Sequence, residues 1–80
     1  MAKWNYEFNG HNITVENNPL SELLYVDGQI AAQHKGLGFS SSLTATLPEG
    51  QTIEAKLQGT VDVNCDLSID GKLQYPVSKE

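Results

Sequence analysis

Apolar side chains recur at every second position through most of this chain, the spacing that puts successive residues on opposite faces of a strand. Trp4, Tyr6 and Phe8 alternate with Lys3, Asn5 and Glu7. Asn9-Gly10 then supplies two residues that tolerate positive φ, and Ile13 and Val15 resume the alternation, so the first element is a hairpin. Asn17-Asn18-Pro19 breaks the pairing, because proline donates no ladder hydrogen bond and restricts the residue before it. Glu22 to Val26 runs into Asp27-Gly28 and returns as Gln29 to His34, a second hairpin.

Lys35 to Ser42 contains two glycines and three serines, which cost backbone entropy and pack little apolar surface. It reads as a flexible loop from which Leu37 and Phe39 dip toward the core or toward a ligand. Leu43, Ala45 and Leu47 then alternate with Thr44 and Thr46, Pro48-Glu49-Gly50 turns the chain, and Ile53, Ala55 and Leu57 alternate with Thr52, Glu54 and Lys56 to make a third hairpin. After Gln58-Gly59 the longest alternation sets Val61, Val63, Cys65, Leu67 and Ile69 against Asp62, Asn64, Asp66 and Ser68. It ends at Asp70-Gly71, across which Lys72 to Tyr75 pairs back, and Pro76 closes the ordered part ahead of a polar tail expected to fray.

No segment has a 3.6-residue apolar period long enough for a helix, although Asn18 to Leu24 has room for one turn. The predicted fold is all-β, an antiparallel β-sandwich of about eight short hairpin-connected strands, with a small barrel as the alternative closure. Residues 1–80 form a single β domain with an ordered core of about residues 3–75.

Composition narrows the setting. With 39% hydrophobic and 19% charged residues the chain is too apolar for a disordered segment, and it has no run of the roughly 20 apolar residues that a membrane helix needs. The start, Met1 to Glu7, lacks the apolar block of a secretory signal, and the single Cys65 has no internal disulfide partner, so a cytoplasmic location is expected. A net charge of −5, with five dispersed lysines, argues against nucleic acid and against anionic membrane surfaces as partners.

The order of an aromatic strand, then Tyr25-Val26-Asp27-Gly28-Gln29, then a strand through Ala45-Thr46, then Leu67-Ser68-Ile69-Asp70-Gly71-Lys72, resembles the N-terminal β-sandwich of the Fas apoptotic inhibitory molecule family over roughly Trp4 to Tyr75. The resemblance implies an eight-stranded antiparallel sandwich in a non-enzymatic protein. The chain departs from that family in having one domain rather than two, and in carrying the Gly/Ser segment where the family has an aromatic-rich one.

Candidate chemistry is sparse. His11, His34 and Cys65 are zinc-ligand types but lack paired-ligand spacing, and Cys65 falls on the apolar face of its strand, where a free thiol behaves as a small hydrophobe. As a nucleophile Cys65 is disfavoured by acidic neighbours such as Asp66. Asp62, Asp66 and Asp70 share an outward face but on a flat strand do not wrap a cation. Serines 40 to 42 read as a linker-like bend without a nucleophile-elbow motif, and Asn12-Ile13-Thr14 matches a glycosylation acceptor by chance. Trp4, Tyr6 and Phe8 read as core, leaving Tyr25, Leu37, Phe39 and Tyr75 as the binding candidates. No metal and no cofactor is expected. The expected role is a non-enzymatic protein-interaction or structural module that meets a protein partner, or another copy of itself, through a sheet edge or the 35–42 loop. A small-ligand or carbohydrate-binding β-sandwich domain is the alternative.

Overall fold

Three two-residue turns with nearly the same backbone set the hairpins: Asn9-Gly10 at φ 49° and 80°, Asp27-Gly28 at 51° and 83°, and Asp70-Gly71 at 50° and 81°. Two consecutive positive φ values match the right-handed twist of the flanking strands, and Asn or Asp followed by Gly adopts them at least cost. The computed structural model describes residues 2–36, 40–59 and 61–80. Its strands are β1 (Ala2–Phe8), β2 (His11–Asn18), β3 (Ser21–Val26), β4 (Gln29–Lys35), β5 (Ser40–Thr46), β6 (Thr52–Gln58), β7 (Asn64–Ile69), β8 (Lys72–Gln74) and β9 (Ser78–Lys79). There is no helix among the described residues, and none long and apolar enough to cross a membrane.

The strands form two antiparallel sheets, ordered β4-β3-β2-β1-β9 and β5-β6-β7-β8. They do not join into a barrel, so the architecture is a β-sandwich. Each meander buries alternate residues: Trp4 and Tyr6 of β1, Ile13 and Val15 of β2 and Leu24 of β3 face Leu43 of β5, Ile53, Ala55 and Leu57 of β6, and Leu67 and Ile69 of β7. Phe8, Val26, Ala45, Val63 and Cys65 pack around that layer, and no polar side chain is buried among the described residues. Burying one such Leu or Ile is worth about 1.5–3 kcal/mol, and this single apolar layer holds the two sheets together.

Five local expectations are corrected. Pro19 does not break the sheet, and Asn18 to Leu24 holds no helical turn. Pro19 and Leu20 occupy the turn between β2 and β3, where no ladder N–H is required, and pairing continues to Asn18↔Ser21. Ser40 to Ser42 are strand rather than loop, because β6 offers them partners at Gln58, Leu57 and Lys56; Leu37 and Phe39 lie outside the described residues. Val61 does not share the inner face but is 93% exposed. At Gly59, with φ 118°, a Cβ would collide with the main-chain carbonyl of Asp62, so the chain folds back tightly and regular alternation starts only at Val63.

The polar tail, finally, does not fray. Ser78 and Lys79 form β9 against Asn5 and Trp4 of β1, with the Lys3 and Glu80 main chains exchanging hydrogen bonds at 2.9 and 2.7 Å. The Asn5 amide donates to Ser78 Oγ and to Glu80 Oε2, and the Lys79 ammonium stands 5.6 Å from the Trp4 ring centroid, a cation over the π face. β1, which would otherwise be an open edge, is thereby covered.

The register of β7 separates two residues that the sequence alternation treats alike. Leu67→Ala opens a hole in the shared layer and is expected to cost about 2–5 kcal/mol, a fall in thermal midpoint of roughly 10 °C or more for a chain of this size. Val61→Ala is expected to stay within about 0.5 kcal/mol of the parent. Thermal unfolding followed through emission of the single, buried Trp4 measures both.

Candidate functional site

A two-sheet sandwich leaves four strand edges, each a row of main-chain donors and acceptors that another strand can take up unless something blunts it. The edges here are β4 and β9 in one sheet and β5 and β8 in the other. β9 has two residues, includes Lys79 and follows Pro76; β8 has three, begins at Lys72 and runs toward the same proline. β4 has seven residues, but its pairing with β3 jumps from Leu24↔Ala32 to Tyr25↔Ile30, leaving Ala31 as a bulge, and it ends in Lys35. β5 has none of these devices. Its seven residues, Ser40 to Thr46, carry no charge, no proline and no bulge, and pair with β6 in unbroken register from Ser40↔Gln58 to Thr46↔Thr52.

The hydrogen-bond pattern shows which residues present the open row. The Leu47 N–H donates to the Gln51 carbonyl at 2.8 Å, so Leu47 and every second residue before it, Ala45, Leu43 and Ser41, turn their main-chain groups toward β6. Ser40, Ser42, Thr44 and Thr46 turn theirs away from it. In agreement, the carbonyl of Thr52, the partner of Thr46, accepts from Asp70 of the following turn at 2.9 Å and so points away from β5. These four residues also stand exposed on the outer face, and among the described residues no strand pairs with their free side.

Two polar contacts fix β5 and the neighbouring turns against the other sheet. Ser41, on the inner side of β5, donates from Oγ to Oε1 of Glu22 on β3, and the same carboxylate oxygen lies 3.4 Å from Nδ1 of His34 on β4. The carboxylate stands between hydroxyl and imidazole, whereas acyl transfer requires the imidazole against the hydroxyl; the cluster is a tie between β3, β4 and β5. At another place His11, at the start of β2, has its Nδ1 2.7 Å from Oδ2 of Asp27 and its Nε2 2.7 Å from Oε1 of Glu49. With a carboxylate at each nitrogen both must donate, so the ring is an imidazolium clasping the β3–β4 turn to the β5–β6 turn. Asp27 also accepts the Asn12 amide through Oδ1 at 2.9 Å.

The remaining candidates are scattered. Tyr25 is half-buried on the outer face of the first sheet, beside Ile30 and Thr14; Tyr75 is 80% exposed between β8 and β9, toward the opposite edge. They do not converge on one concavity. Two surface hollows among the described residues, about 270 Å³ beside Phe8 to Asn12 and about 310 Å³ beside Ser40 to Ser42 and Lys56 to Gln58, include neither tyrosine. His11, His34 and Cys65 each have a different neighbour and form no common site. The Cys65 thiol accepts from the Tyr6 hydroxyl at 3.6 Å; burial pushes both groups up, and for Tyr6 the thiol's proximity adds to it. Asp70 lies in the turn, bonding the Thr52 amide at 2.9 Å, and does not face Asp66 along a strand.

No protein-family model, curated protein or solved structure matches this chain. Sequence reading missed the carboxylate partners of His11, which arrive from turns 16 and 38 residues away and leave no mark in local spacing. The open edge did leave a mark. Ser40 to Thr46 is a seven-residue stretch without a charge or proline, in a chain that elsewhere ends its edges with lysine.

Two solution properties follow from these contacts. The His11 ring is held above its ordinary value of 6.5 by its bonds to Asp27 and then Glu49, so its contribution is whole below about pH 6.5 and is lost as pH rises through the raised folded value. Asp27 is held below its ordinary 3.8 by His11 and then the Asn12 amide; its contribution is present above about pH 4 and is lost as pH falls through the lowered folded value. The difference in thermal midpoint between the parent and His11→Gln is therefore expected to be largest between about pH 4 and pH 6.5 and to shrink on both sides; a difference that does not vary with pH would show that the clasp does not titrate. Cys65 is expected to react with a thiol reagent at neutral pH well below the rate of a free cysteine peptide, and to reach the peptide's rate only on unfolding, as a stopped-flow labelling series measures.

Proposed function

We propose that this chain is a non-enzymatic protein-interaction module that takes up an extended segment along the free side of β5. The observation that carries the reading is the uneven finish of the four edges: β4, β8 and β9 are blunted by a bulge, by shortness, by lysine or by proline, and β5 is left long, regular and uncharged. Main-chain groups of Ser42 and Thr44 supply the pairing and the exposed side chains of the same residues flank it. The edge is held in place before any partner arrives, by its ladder to β6 and by the Ser41–Glu22 bond, so little ordering of this side is needed on binding. The surface concerned includes Ser40 to Ser42 and so overlaps the 35–42 segment singled out from composition.

The test is selection of displayed peptides of seven to twelve residues against the protein, followed by amide chemical-shift mapping of those that bind. Shifts are expected to centre on Ser40, Ser42, Thr44 and Thr46. Thr44→Pro removes an outward N–H while leaving every β5–β6 ladder bond its partner, so it is expected to weaken binding tenfold or more, about 1.4 kcal/mol, with Trp4 emission unchanged; Ser42→Pro provides a second, independent block. Binders that map elsewhere, or that hold Thr44→Pro as tightly as the parent, would overturn the reading.

A further inference from the structure

We infer that the segment which β5 takes up is β5 of a second copy of this chain, paired antiparallel about a two-fold axis through Leu43. The inference rests on the strand-addition reading above and names its partner. An antiparallel strand paired with itself must match its own residues in reverse order, so a charge on the axis meets its own copy and a charge elsewhere meets the residue at the mirrored position. Ser40 to Thr46 carries none. About Leu43 the matches are Ser42 with Thr44, Ser41 with Ala45 and Ser40 with Thr46, and all seven positions are used.

Geometry agrees at two points. Ser40, Ser42, Thr44 and Thr46, whose main-chain groups point to the free side, are matched only with one another, so every new pair of ladder bonds joins residues that have them to give. Faces agree as well: the exposed Ser42 lies opposite the exposed Thr44, and buried Leu43 opposite Leu43 of the second copy, so the sheet runs on without a side chain changing face. Charge does not oppose it one strand further back: Lys56, the β6 partner of Ser42, and Glu54, that of Thr44, pair with each other at 3.9 Å along their own strand, so no unpaired like charges face the junction. The alternative β4 edge fails the same comparison, because its bulge puts Ile30 on the outer face and His34 on the inner, and reversal about Ala32 would set them opposite each other.

The assembly closes at two. Pairing uses β5 of both copies, and the resulting eight-stranded sheet ends at β8 on both sides, where a three-residue strand with Lys72 and a following Pro76 offers no further addition.

Sedimentation across a concentration series, roughly micromolar to millimolar, tests the inference on the intact chain. The parent is expected to pass from its 8.7 kDa monomer to twice that mass, and Thr44→Pro to raise the dimer dissociation constant at least tenfold. In a Cys65→Ser background the double variant Ser42→Cys, Thr44→Cys is expected to oxidise to a disulfide-linked dimer, since paired residues there stand about 5.5 Å apart at Cα. A parent that stays monomeric throughout, or dimers that Thr44→Pro does not weaken, would overturn the self-pairing; dimers whose cysteines do not link would overturn the two-fold through Leu43. The strand-addition reading fails separately, when selected peptides bind a monomeric chain without touching β5.

Discussion

Every strand in a sheet must give its main-chain groups to a neighbour or leave them at an edge, and a sandwich that does not close into a barrel cannot avoid four edges. In this chain that constraint organises most of what is unusual. The C-terminal residues return across the sandwich to cover β1. A bulge interrupts β4. Lysines sit on β8 and β9. Each of these reduces an open row of donors and acceptors, and together they make the one strand without any such device stand out.

The interior asks little by comparison. One layer of Leu, Ile, Val and aromatic side chains, contributed alternately by both sheets, joins them without a buried charge among the described residues. Such a layer is non-directional and would tolerate some sliding of one sheet over the other. Directional contacts between the sheets are few: Tyr6 donating to the Cys65 thiol inside, and at the periphery Glu22 reaching Ser41 and His11 drawing the Asp27 and Glu49 turns together. The Glu22 contact steadies β5 itself. The His11 contact depends on an imidazolium and so brings pH into the stability of the turns rather than of the core.

The hairpins, their turns and the inner face of each strand were legible in the residues, because they depend on neighbours one or two positions apart: Asn9-Gly10, Asp27-Gly28 and Asp70-Gly71 require only that the next strand fold back. The errors fall where a distant segment decided the outcome. Pro19 signals a break, and the pairing of Asn18 with Ser21 makes it a turn. Ser40 to Ser42 have the composition of a loop, and β6 makes them strand. Val61 fitted the alternation of β7, and the fold of the chain over Gly59 turned it outward. Ser78 and Lys79 looked like a free tail, and the uncovered edge of β1 gave them a ladder.

The sequence by itself therefore determined that this protein is built of strands, where most of them reverse and which side chains line its interior, because alternation and turn conformation are properties of short stretches. Only the tertiary structure decided which strands became edges, that His11 lies between Asp27 and Glu49, and that Ser42 and Thr44 face outward with their main-chain groups free. Those depend on the order in which the meanders are laid beside one another, and that order is set by packing across the whole chain.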